Sequence, residues 1–254
     1  MQLVDSIPTA LTKLQQTKDF FCEMEQKGAI LRIFGMDTIR ELSPRSLNAA
    51  TAPNVQRSSL GTQVCWGICT LMCAGVVVVA SQYYFHPPSG HFGEHYSLLL
   101  AHIIGGSVAL LVGPWQFSRR LRIRKLPLHR WLGRIYLLAV ALGSLAGFGS
   151  ALFSAGGVVT HFGFGILAAL WFFTGWMAYR YARAGRIEEH REWMIRNFSL
   201  SLAAVTLRHY LPLMLFVMHW PFLRAYVPIS WLCWVPNLIL AEWMIRRRWA
   251  VAAI

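Results

Sequence analysis

Six apolar runs, each near 20 residues and set apart by short polar segments, constrain this chain more than any other feature. A run of that length covers the ~30 Å hydrocarbon core of a bilayer as a helix. The first occupies residues 64–83 and holds no charged side chain. The second is expected at 97–117, the third at 128–153, the fourth at 161–179, the fifth at 193–218 and the sixth at 228–245. In lipid every backbone N–H and C=O needs an internal partner, so the runs must be helices. The fold class is therefore all-α: a polytopic membrane protein of six transmembrane helices with a central four-helix bundle. Charged residues make up only 14% of the chain, against about a quarter in a soluble domain.

The net charge of +13 would suit nucleic acid if it formed one basic face. It does not. Fifteen Lys or Arg fall in residues 119–134, residues 180–196 and the triplet Arg246, Arg247, Arg248. That is the signature of cytoplasmic loops in a membrane protein, so nucleic acid is not a partner; the lipid bilayer is. The positive-inside rule puts both basic loops and both termini in the cytoplasm, in a cell membrane.

Residues 1–60 form a separate region, with seven Lys or Arg against six Asp or Glu. An amphipathic helix is expected near 9–33, and the Ser-, Pro- and Asn-rich stretch 43–62 reads as a linker. Residues 61–254 are the transmembrane domain. The five cysteines, Cys22, Cys65, Cys69, Cys73 and Cys233, form no CxxC pair and read as small buried apolar residues.

Four histidines stand at two depths. His102 and His161 open the second and fourth helices, and His129 and His190 open the third and fifth. His102 lies about 16 residues, or roughly 24 Å, from the cytoplasmic end of its helix. It and His161 thus sit near the outer boundary, His129 and His190 near the inner one. In an up-down four-helix bundle alternate helices face each other diagonally. Each depth then offers one imidazole pair, the set needed to hold a haem iron from both sides. Gly106, Gly133 and Gly165 each follow one of these histidines by four residues, on the same helix face, and could leave room for a porphyrin. Met194 breaks that pattern after His190. Gly143 and Gly147 are expected to serve helix packing alone. Arg130, Arg134, Arg191 and Arg196 flank the inner histidines and could meet haem propionates. Arg208 lies inside the fifth helix, where an unpaired charge costs at least about 2.5 kcal/mol near the bilayer centre. It suits an outer propionate or an anionic substrate. Glu242 matches Arg196 in depth, so an ion pair is expected. His209 is expected as a polar residue of the outer leaflet and His219 as a loop residue.

The segments GPWQF at 113–117, LHRWLGRIY at 128–136, HREWMIRNF at 190–198, TLR at 206–208 and PN…EW at 236–243 resemble the predicted membrane proteins of domain-of-unknown-function family 2306. The resemblance covers about residues 102–243 and implies a multi-pass membrane protein without bringing an activity. In architecture alone, six helices with two histidine pairs on the central four are similar to the b561-type di-haem cytochromes. That likeness implies an oxidoreductase carrying electrons across the membrane.

Three functions follow as expectations. One is an electron carrier with one or two b-type haems held by His102 with His161 and His129 with His190, served by quinol or another donor and acceptor. Another is a transporter or small-molecule-binding protein using Arg208 and Glu242. The third is a metal enzyme built from His86, His91, Glu94 and His95. The sequence leaves catalytic residues and oligomeric state open.

Overall fold

The computed structural model describes residues 60–86 and 95–252. The expected tail and linker of residues 1–59 lie outside them, as do His91 and Glu94 of the loop before the second helix. The described residues are helical with short connections, and six helices are long and apolar enough to cross a membrane. We label these α1 (Gln63–Phe85), α2 (Tyr96–Gln116), α3 (Leu126–Ala151), α4 (Val158–Arg183), α5 (Ile187–Val217) and α6 (Phe222–Arg247).

All six expected helices are present. The largest differences in their ends have simple causes. Helix α5 starts six residues early, at Ile187, because Glu188 and Glu189 in its first turn complement the helix dipole. Helix α6 also starts six residues early and runs through Pro228. A helix in lipid tolerates an internal proline because neighbouring helices supply replacement contacts. Several irregularities went unforeseen, among them breaks in α1 at Ser81 and in α6 at Cys233 and Trp234. A short helix, Arg119–Arg124, fills the first basic loop, with the Ser118 hydroxyl accepting from the Leu121 N–H. Helix α5 is interrupted at Leu202, and after Pro212 it widens into a π-turn over Leu213–Val217.

Helices α2, α3, α4 and α5 form a closed ring. Each packs on the next, and α5 returns to α2. The alternates α2/α4 and α3/α5 therefore lie across from one another. Helix α1 sits outside the ring against α2 and the second half of α5, and α6 covers α4 and α5. Leu71, Leu138, Leu145, Phe162 and Phe216 point outward and are more than half exposed, as lipid-facing side chains should be.

Lipid tails are as apolar as leucine, so helices here gain by close approach rather than by escaping water. Small residues provide it. A Cβ on Gly105 would lie 2.6 Å from the Cα of Gly143 and 2.7 Å from the Ala139 carbonyl oxygen. Helices α2 and α3 touch there backbone to backbone. Gly113 admits the Phe198 ring of α5, and Gly163 admits the Ser230 side chain of α6. Gly106, by contrast, has nothing within 4 Å of an added Cβ. Replacing Gly105 with Ala should therefore destabilise the detergent-solubilised protein by about 1–3 kcal/mol, the usual cost of overpacking. Gly106→Ala should leave the melting temperature unchanged. Thermal unfolding of the two variants side by side checks this.

Candidate functional site

A cavity of about 410 Å³ opens within the bundle at the end opposite the basic loops. We call these the neutral and basic ends. The walls are mostly apolar: Leu99, Ile103, Phe164, Leu167 and Trp171 among others, with Gly106 leaving bare backbone. Its polar groups are few. They include His102, Arg208, Ser201, Tyr83 and His95.

His102 owes its orientation to the α2–α3 contact. Its Nδ1 lies 2.8 Å from the Gly143 carbonyl oxygen, an acceptor, so Nδ1 carries the proton and donates. Nε2 is then left with its lone pair. Gly147 clears the space for this ring: a Cβ there would lie 2.6 Å from Nδ1. Gly143 and Gly147 thus do more than the packing expected of them, one accepting from His102 and the other seating it. The ring also meets Trp171 edge-on, 6.2 Å between centroids.

Arg208 shares the cavity and lies within electrostatic reach of His102 and Tyr83. Its Nη1 donates to the Ala204 carbonyl at 3.2 Å, one turn back in its own helix. Among the described residues no carboxylate forms an ion pair with it. The other cation of interest, Arg196, is fully engaged. Its Nε and Nη2 donate to the two Glu242 oxygens at 2.5 and 3.1 Å, joining α5 to α6 as expected. Glu192 lies 3.5 Å away and the Trp193 ring supports the guanidinium.

The remaining histidines are placed as follows. His161 does not line the cavity. Its Nε2 donates to the Ser154 carbonyl in the loop before its own helix, at 3.0 Å. His190 Nδ1 donates to the Ala178 carbonyl of α4 at 2.8 Å, the same arrangement as His102. His129 lies within electrostatic reach of His190, and its Nδ1 is buried with no hydrogen-bond partner. Arg130 and Arg134 are exposed at the basic end. Gly133 is no bare patch beside His129, since the Gln116 amide oxygen lies 3.3 Å from its Cβ position, and at Gly165 only Phe148 comes near. His209 Nδ1 donates to Val205 of its own helix. His219 stands in the loop after α5 with φ +53°. His95 stacks on Phe153 at 3.5 Å. No group of three or more His, Cys, Asp or Glu able to hold a metal ion occurs among the described residues. Of the cysteines, Cys73 and Cys233 are buried as expected, Cys69 is partly buried and Cys65 is exposed; Cys22 lies outside the described residues.

Sequence reasoning missed the polar network in the middle of the ring. The Tyr136 hydroxyl donates to Asn197 Oδ1 at 2.7 Å and lies 3.2 Å from Ser201 Oγ. Asn197 Nδ2 donates to the Trp171 carbonyl and to Thr174 Oγ1. The Trp171 indole N–H donates to Ser201 Oγ at 2.8 Å. Tyr136 and Asn197 are wholly buried. The only signal was their place within LHRWLGRIY and HREWMIRNF.

The fold and site define a six-helix membrane protein with a mostly apolar cavity that holds a few polar groups at the neutral end of its bundle. The chain belongs to the family of predicted membrane proteins known as DUF2306, whose model matches residues 99–245. No curated protein and no solved structure matches it.

Breaking the Arg196 pair by Glu242→Ala should cost about 1–3 kcal/mol, less than a fully buried pair would because both side chains keep some exposure. Replacing both partners with leucine should recover part of that loss. A double-mutant cycle on thermal unfolding checks both outcomes.

Proposed function

We propose that the protein binds b-type haem in the ring of α2–α5 and carries electrons across the membrane. The observation that carries this reading is the pairing of His102, its Nε2 unspent, with Arg208, a cation with no carboxylate partner among the described residues, in one mostly apolar cavity. An imidazole held by an Nδ1–H bond to a backbone carbonyl is the usual state of a metal-ligating histidine, and His190 shares it. The orphaned His129 Nδ1 adds a second group in want of a partner. The ring order sets α2 across from α4 and α3 across from α5; His129 lies within electrostatic reach of His190, whereas His161 stands outside the cavity that His102 lines.

At the neutral end His102 and Arg208 suit the group, while His161 does not reach the cavity in this arrangement. His102 and His190 would ligate through Nε2. His161 would do so through Nδ1, or after releasing Ser154. Arg208 would meet a propionate at the neutral end, with Arg130 and Arg134 at the basic end. Haem supplies a one-electron iron couple, whose potential is set by its ligands and burial. Apolar walls exclude water, and Gly106 keeps the approach clear. The basic loops and both termini would face the cytoplasm of a cell membrane, with quinol or another reductant as donor.

The second reading is a transporter or binder of a small organic anion. It is favoured by His161, which does not line the cavity and whose Nε2 is spent on the Ser154 carbonyl. Of the two ionisable groups once expected to serve that role, Glu242 is committed to Arg196. Arg208 alone remains for the anion.

Purification with full haem supply should give a Soret band and a sharp reduced α-band. His102→Ala should lose the signal of the site at the neutral end and His129→Ala that of the site at the basic end. A preparation without either band, at full haem supply, would exclude the electron-carrier reading and leave the anion site.

A further inference from the structure

Two members of the buried network also line the cavity: Trp171 on α4 and Ser201 on α5. The other two, Tyr136 and Asn197, do not. A count of donors shows how tightly the set is tied. Both Asn197 amide protons are used, on the Trp171 carbonyl and on Thr174 Oγ1. Its Oδ1 takes the Tyr136 proton. Ser201 Oγ accepts from the Trp171 indole and has one proton of its own to share between Asn197 O, at 3.1 Å, and Tyr136 Oη. Every donor has an acceptor, so the network is fully satisfied. Its effect is to tie Trp171 twice to α5, by its ring N–H and by its backbone carbonyl. That indole is what His102 meets edge-on across the cavity wall.

The bond from Ser201 back to Asn197 O is of the kind that bends helices. Helix α5 is interrupted at the next residue, Leu202.

We propose that Trp171 is a ligand-contacting wall of the cavity, and that Tyr136 and Asn197 are positioning residues that act on the ligand through Ser201 and Trp171. The ligand class this implies is a planar conjugated molecule carrying a carboxylate: its flat face lies against the indole, and its anion meets Arg208. The proposal rests on the cavity being a binding site, but needs no iron in the ligand.

The test uses the full chain in lipid nanodiscs, titrated with haemin and with iron-free protoporphyrin IX. Tryptophan quenching and the Soret shift report binding, and thermal unfolding runs in parallel. Tyr136→Phe keeps the ring and removes the hydroxyl, and Ser201→Ala removes the link. Each should weaken both porphyrins about three- to tenfold, the worth of one hydrogen bond. Ser201→Thr, which restores a hydroxyl, should return affinity towards the unchanged level. Thr206→Val breaks a comparable polar link on α5, from Thr206 to Asn237, away from this cavity. It should lower the melting temperature while leaving affinity intact. Equal weakening by Thr206→Val, or full affinity in Tyr136→Phe and Ser201→Ala, overturns the positioning role. Failure of the unchanged chain to bind either porphyrin overturns the reading of the cavity itself, and this proposal with it.

Discussion

The backbone contact of α2 with α3 at Gly105 and Gly143 sets the geometry of everything near the cavity. Two helices that close bring the Gly143 carbonyl within reach of a side chain on α2, and His102 is that side chain. The carbonyl has two lone pairs, so it can serve its own helix and still accept from the imidazole. One turn further, Gly147 has no Cβ where the ring must lie. A larger residue at 105 or 143 would part the helices and undo the bond. The orientation of His102 is thus a consequence of helix packing rather than of any local turn.

Charge is handled differently at the two ends. At the basic end Arg196 has two carboxylates and an aromatic face around it, so its desolvation is offset. Among the described residues, Arg208 at the neutral end has only a carbonyl of its own helix. A partly buried cation left that way is costly. A bound anion would offset that cost, which is the role the proposed function gives it. The contrast separates an arginine spent on joining helices from one left available more sharply than depth in the membrane does.

The six helices and the Arg196–Glu242 pair were legible in the sequence because each depends on composition and on rise per residue. Hydrophobic length locates a helix whatever its neighbours do. What could not be read was anything decided by rotation about a helix axis. His161 opens α4 as His102 opens α2, yet one ring turns back to Ser154 and the other crosses to α3. Gly133 and Gly106 hold the same offset from a histidine, yet Gln116 fills the space beside one and nothing fills it beside the other. The Tyr136–Asn197–Ser201–Trp171 network was hidden for the same reason. Its members are spread over three helices, and each is an unremarkable residue in its own segment.

The motifs of the family resemblance take on meaning once placed. Gly113 of the first admits Phe198 of the third, Tyr136 of the second bonds Asn197 of the third, and Thr206 of the fourth meets Asn237 of the fifth. These motifs are therefore largely the contacts that build the ring, and their presence alone argues for a fold rather than a reaction. Histidines could be explained the same way, as polar staples between helices: His102 ties α2 to α3 and His190 ties α5 to α4. A staple, however, needs only one ring nitrogen, and asparagine or glutamine could supply the donor. What distinguishes His102 is that its second nitrogen keeps a lone pair beside a cavity that also holds a cation with no carboxylate partner among the described residues. Function is argued from that coincidence, and the staple is what makes the coincidence rigid.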